Sequence, residues 1–237
     1  MRVSRLFGKT LRDDPAGAEL VSHKLMLKAG MIYQAAAGIY GYMPLAWRSL
    51  RKIEQIIREE MDAAGGQEIH LPVLQPRDLW QMSGRDKMMG PELFRVTDRR
   101  DREMVLAPTH EELLTNMVKA NVQSYRDLPL MLYQIQTKFR DEPRPRGGLI
   151  RVREFDMKDA YSLHLDEDGM AEAYRTQAKA YERIFQRLGL RDVHKIRSAT
   201  GVMGGSVAHE FMCLLDVGED TVAFCQACGD AWNTDVA

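Results

Sequence analysis

The sequence is short of cysteine, of net charge and of long apolar runs, and each shortage closes off a class of explanation. Its 237 residues include three cysteines, Cys213, Cys225 and Cys228. That number is too small and too odd for a disulfide framework, which points to a reducing compartment. Lysine and arginine total 33 against 34 aspartates and glutamates, so no global field draws the chain to nucleic acid or to an anionic membrane, and any polyanion site has to be local. No apolar run approaches the ~20 residues of a membrane span, and the opening MRVSRLFGKTLRDDPAG lacks the apolar stretch of a secretory signal. A cytoplasmic location without a membrane partner is therefore expected. Neither G-x-G-x-x-G nor a Walker sequence occurs, which removes the usual Rossmann and P-loop routes to a nucleotide. Cys225-Gln-Ala-Cys228 has the spacing of half a zinc ribbon, but no second cysteine pair or nearby histidine completes it, so no metal is expected there.

What is present suits a folded core: 45% of the residues are hydrophobic. With no repeat, linker or low-complexity tract, residues 1–237 read as a single domain. From Trp47, apolar Leu50, Ile53, Ile56, Ile57, Met61 and Ala64 recur at helical spacing until Gly65-Gly66 stops them. QEIHLPVLQP then reads as a short strand region, with Pro72 and Pro76 marking an edge, a bulge or an end. Such a helix and strand either line an interface or form an ordinary surface helix on a sheet. Met104 to Ala107 reads as a strand, and the helical run after it extends through Val122. Asp166 to Leu188 reads as a long helix with Met170, Tyr174, Ala178, Tyr181, Phe185 and Leu188 on its packing face. Strands are expected at Val193 to Ala199, Ser206 to Leu215 and Thr221 to Cys225. The fold class is α+β, a largely antiparallel sheet flanked by helices.

The densest charge lies in KFRDEPRPRGGLIRVREFDMKDAYS, Lys138 to Ser162. Leu130 to Phe139 alternates, with Met131, Tyr133, Ile135, Thr137 and Phe139 as the expected buried face. The polar even face continues to Arg140 and Glu142. After the turn-rich PRPRGG, a flexible basic tip, a second strand from Leu149 to Met157 places Leu149, Arg151, Arg153, Phe155 and Met157 on one face. In this hairpin Arg140 suits a phosphate, Glu142 accepts from an exocyclic amine, Phe155 offers a face to a base, and Arg151 adds a second cation. Arginines 140, 144, 146, 151 and 153 outnumber the acids at 141, 142 and 154, a surplus that favours an anion over cross-strand ion pairs alone. Pro108-Thr109-His110-Glu111-Glu112 carries two readings. Thr109 with Glu112 has the form of a helix capping box, whereas Thr109 and Glu111 together offer a hydroxyl and a carboxylate to a ligand ammonium.

F-R-D-E at 139–142, a loop, then R-x-R-E-F at 151–155 and M-K-D-A-Y-S at 157–162 resemble motif 2 of the class II aminoacyl-tRNA synthetases, in the form found in bacterial prolyl-tRNA synthetases. SHKLMLKAGMI at 22–32, the motif 1-like helix and strand from Trp47 to Pro76, PTHEE at 108–112 and GGSVAHEF at 204–211 extend the resemblance over nearly the whole chain, in order. The resemblance implies a class II antiparallel catalytic sheet, a homodimer built through motif 1, and ATP-dependent, Mg2+-assisted activation of L-proline for transfer to tRNA(Pro). It implies that Arg140 holds the α-phosphate as the catalytic cation, with Glu142 at the adenine, Arg151 at further phosphate oxygens and Phe155 on the adenine face. Thr109 and Glu111 would hold the proline amine, and Met157 and His209 would line the proline pocket. The family pattern continues with an editing insertion, a glycine-rich motif 3 bearing another ATP-binding arginine, and an anticodon-binding domain, none of which these residues contain. The expectations are therefore the catalytic part of a ligase, one half of a split enzyme, or a catalytically incomplete paralogue acting as a binding or dimerisation module.

Overall fold

The computed structural model describes residues 2–201 and 204–234, and the chain divides into two compact units, Met1–Tyr174 and Arg175–Ala237. Among the described residues no helix is long and apolar enough to cross a membrane. The first unit runs α1 (Val21–Lys28), β1 (Ile32–Ala36), β2 (Ile39–Tyr42), α2 (Pro44–Ala63), β3 (Gln67–Glu68), β4 (Leu74–Pro76), α3 (Arg77–Met82), α4 (Arg85–Met88), β5 (Arg95–Thr97), β6 (Glu103–Leu106), α5 (Glu111–Asn121), β7 (Leu130–Phe139) and β8 (Glu154–Leu163). The helix α6 (Glu167–Arg187) begins in the first unit and ends in the second, which continues with β9 (Val193–Ser198), β10 (Ala208–Cys213), β11 (Val222–Phe224) and β12 (Ala231–Asn233).

Pro44 opens α2 at a position where a missing N–H costs nothing, and Gly65, at φ +86°, closes it in a conformation that side chains resist. Of its apolar stripe only Met61 is fully buried; Leu50, Ile56, Ile57 and Ala64 are half-buried, while Trp47 and Ile53 stand exposed. The strands form β3-β7-β8, β4-β6-β5, the β1-β2 hairpin and, in the second unit, β10-β9-β12-β11. All pairings are antiparallel except β3 with β7 and β12 with β9. The predominantly antiparallel α+β reading therefore holds.

The β7-β8 ribbon departs from expectation in two ways. First, the buried face of β7 is the even one: Leu132, Gln134, Gln136 and Lys138 are buried, whereas Met131, Ile135, Thr137 and Phe139 are half-exposed, with Tyr133 the buried exception. Polar residues tolerate this because each has a partner. Gln134 Oε1 accepts from Leu71 N at 3.0 Å, and Gln136 Nε2 donates to Leu71 O at 2.7 Å. Leu132 joins Leu71, Leu114 and Val118 in an apolar cluster under α5. Second, β8 begins at Glu154, not Leu149, and extends to Leu163. Residues 149–153 are held instead by loop bonds, among them Arg146 N to Arg151 O at 3.0 Å and Arg153 N to Gly38 O at 2.8 Å.

The PRPRGG tip is packed. Gly38, in the turn between β1 and β2, meets Pro145 so closely that an added Cβ would lie 2.7 Å from its Cβ, and a Cβ on Gly148 would lie 2.8 Å from the His23 ring of α1. Both glycines have positive φ, so both conformation and space require glycine there. In the second unit the buried residues of α6 include Ala180 and Ile184, while Tyr181, Phe185 and Phe211 form an aromatic cluster with centroids 5.4 to 6.3 Å apart. Met170 and Tyr174, expected on the packing face, are exposed. The buried line runs through Ala173 and Ala180, whose small side chains permit close backbone approach. The strand β12, in the polar run GDAWN, was not expected.

Candidate active site

Antiparallel register places directly opposed residues on one face of the ribbon, so Leu132, Gln134, Gln136 and Lys138 share a face with Tyr161, Asp159, Met157 and Phe155. Two groups of charged residues lie beside its Phe139 end. At the loop end the strand stops at Phe139, and Glu142 N donates back to Arg140 O at 2.7 Å, a tight turn that takes Glu142 off the strand line. Even so, Arg140, Glu142, Arg151 and Phe155 line one cavity of about 460 Å³, together with Tyr42 and Glu92. The Arg140 guanidinium lies 5.4 Å from the centroid of the Phe155 ring, a cation–π contact that fixes both. Glu142 Oε2 pairs with Arg151 Nε at 3.1 Å, while its Oε1 accepts from Arg144 N at 3.1 Å. Arg140 Nε is buried with no hydrogen-bond partner among the described residues. An anionic ligand would offset the desolvation of that donor.

The second group begins where Phe139 N donates to Ala107 O at 3.0 Å, which sets PTHEE beside the same end of β7. The capping-box reading fails here. The helix starts at Glu111, its N-cap is His110, and no side chain caps it. Glu112 is engaged elsewhere, accepting from Ser83 Oγ at 3.0 Å and pairing with Arg85 Nη1 at 3.1 Å. Thr109 donates its hydroxyl to the Glu111 carboxylate, 2.7 and 2.6 Å from the two oxygens. Arg85 Nη1 donates to Oε2 of that carboxylate at 3.0 Å. A hydroxyl and an oriented carboxylate thus lie side by side, as recognition of an ammonium requires.

Beneath them lies a polar network that sequence reasoning missed. Lys138 is fully buried and 2.8 Å from Asp159 Oδ1; Gln134 Nε2 donates to Asp159 Oδ2 at 2.9 Å, and the Tyr161 hydroxyl donates to the same oxygen. Lys138 also contacts His110 Nδ1. Burial pushes the Lys138 ammonium below its ordinary range, with Asp159 opposing, and burial and then the Asp159 hydrogen bond push the Tyr161 phenol up. Lys138 feels both Glu111 and Arg140, so the network links the two charged groups. The available signal was the recurrence of polar residues at every second position of β7 opposite an acid on β8.

Met157 is half-buried between Phe155 and Asp159 on the shared face. His209 stands on β10 of the second unit, opposite Arg197, with its pKa lowered by burial and then by Lys195 and Arg197. In that unit Cys225 and Cys228 are free thiols on the turn between β11 and β12.

A family model described as the tRNA synthetase class II core domain (G, H, P, S and T) matches residues 94–235. Among curated relatives, the proline–tRNA ligase of Dehalococcoides mccartyi is 54% identical over all 237 residues, which cover 42% of that relative. Among solved structures, the prolyl-tRNA synthetase of Giardia lamblia in complex with prolyl-adenylate is 26% identical, with TM-score 0.69 over 73% of this chain and 36% of that one. That of Cryptosporidium parvum shares the fold at 21% identity and TM-score 0.71, over 79% of this chain and 39% of that one. The chain spans about two fifths of the length of the curated relatives it matches. With the family model covering more than half of its residues, the chain belongs to the class II tRNA synthetase core-domain family of the G, H, P, S and T group.

Proposed function

We propose that the chain is the N-terminal catalytic part of a proline–tRNA ligase, which activates L-proline with ATP and passes the prolyl group to tRNA(Pro). The observation that supports this most is the pairing of Thr109 and Glu111 with a cavity that gathers Arg140, Glu142, Arg151 and Phe155, with Lys138 feeling the charge of both Glu111 and Arg140. Glu111 and Thr109 receive the secondary ammonium of proline, and Met157 contacts its ring. Arg140 grips the α-phosphate, Arg151 gives up Glu142 for further phosphate oxygens, and Glu142 is freed to accept from the adenine amine. The proline carboxylate then attacks the α-phosphorus in line. Arg140 stabilises the charge that develops there, and pyrophosphate leaves. A terminal ribose hydroxyl of the tRNA subsequently attacks the adenylate. Magnesium enters bound to the ATP phosphates. Among the described residues no group of three or more His, Cys, Asp or Glu could hold a metal ion, so no residue is assigned to it.

His209 is assigned to the proline pocket on family resemblance, and the two units are assigned to one catalytic domain because the family match runs from 94 into the second. The exposed Leu45, Trp47 and Ile53 of α2 support a homodimer through this helix, and the composition supports a cytoplasmic location. The test is proline-dependent ATP–pyrophosphate exchange by the full-length product carrying this sequence. Exchange that Arg140→Ala suppresses is the expected result; no proline-dependent exchange, or an Arg140→Ala variant at wild-type rate, overturns the reading.

A further inference from the structure

Lys138 has no role in that chemistry, yet its ammonium is fully buried, a placement that is costly unless every donor is used. Its partners are Asp159 Oδ1 at 2.8 Å and His110 Nδ1. An ammonium has three donors and no acceptor, so Nδ1 has to be the unprotonated nitrogen of the ring. The proton then sits on Nε2, which lies 3.2 Å from Pro72 O and donates to it. The imidazole is therefore neutral, in one tautomer, and held at both nitrogens. Burial and the Lys138 charge hold it so, lowering its pKa to about 4. The groups facing it are Lys138 from β7, Asp159 from β8, Glu111 from α5 and the Pro72 carbonyl.

His110 stands between Thr109 and Glu111 in the chain and is the N-cap of α5, with no side-chain cap to fix that helix start in another way. The pinned ring therefore substitutes for a cap. It sets the backbone from which the hydroxyl and the carboxylate project. We propose that Lys138 is a positioning residue of the amine subsite: acting through His110, it fixes the relative placement of Thr109 and Glu111, and so governs capture of a cyclic secondary amine without touching it. This rests on the proline-activation reading for its ligand, but its structural half does not.

Two readouts separate those halves. In the full-length ligase, Lys138→Met should raise the KM for proline by roughly tenfold or more, as a displaced contact does, with the KM for ATP within about twofold of wild type. In nitrogen-15 NMR of the histidine rings, wild-type His110 should show the Nε2–H tautomer titrating near 4, and Lys138→Met should move it up toward the ordinary ~6.5 and mix the tautomers. Should Lys138→Met fail to fold, Lys138→Met with Asp159→Asn removes both buried charges and is expected to give the same two results. Parallel rises in the KM for proline and ATP mean a merely structural lysine and overturn the proposal. So does an unchanged KM for proline with the ring released. If the wild-type enzyme shows no proline-dependent exchange, the ligase reading falls. The ring then decides alone: titration near 6.5 in wild type, or no response to Lys138→Met, overturns the positioning role.

Discussion

Two neighbouring groups beside the β7-β8 ribbon hold charge in opposite ways. Around the cavity, Glu142 pairs with an Arg151 that is half exposed, where water screens the attraction and a net ~0–1 kcal/mol is typical. Beneath PTHEE, Lys138 and Asp159 are 0% and 9% exposed, and neither has water to fall back on. The first pair is replaceable, so on the proposed function it would be traded for a polyphosphate at little cost. The second is not, so it holds its neighbours in one arrangement while ligands come and go. On the proline-activation proposal, a site that selects a small rigid amine and also admits a large flexible nucleotide would be served by both kinds of pairing.

The sharpest way to break this contrast is to strand the buried ammonium. Asp159→Ala should lower unfolding free energy by about 3–5 kcal/mol in urea titration; a loss under ~1 kcal/mol would show that Lys138 is not held as described. Arg140→Ala, in the replaceable group, should cost about 10²–10³ in exchange rate while the urea midpoint barely moves. Next in size is a pH effect. The His110 pKa in the folded state, about 4, lies below the ~6.5 of an unfolded chain, so between these values the unfolded state binds the extra proton. Stability from this ring is fully present above ~6.5 and falls as pH drops toward 4, with a slope approaching 1.4 kcal/mol per pH unit. His110→Gln should flatten that window in denaturation curves taken across it. The smallest change is expected for Arg151→Ala: stability within ~0.5 kcal/mol of wild type, and a KM for ATP raised several-fold. A large stability loss there would erase the distinction between the two groups.

How much could be read in advance follows the same divide. Arg140, Glu142, Arg151 and Phe155 lie within one short stretch and declare their chemistry by type, so the cavity was legible although Glu142 leaves the strand and β8 starts late. The limits of β7 were legible from its alternation. Its inner face was not, because the rule that apolar residues turn inward assumes an apolar interior. Gln134 and Gln136 find their partners at Leu71, more than sixty positions away, beyond any local window. The packing line of α6 was misplaced for a related reason, since alanines at 173 and 180 carry little hydrophobic signal yet allow the closest approach. Three-residue β12 offers no period at all.

The crowding of Gly38 on Pro145 and of Gly148 on His23 bears on regulation of affinity from a distance. The arginine loop is packed against the β1-β2 turn at Gly38 and against α1 at His23. On the proposed function residues 20–42 would act as a clasp on the Arg140 cavity, so a substitution there that touches no ligand would be felt as a change in nucleotide dissociation rate while the amine subsite kept its affinity.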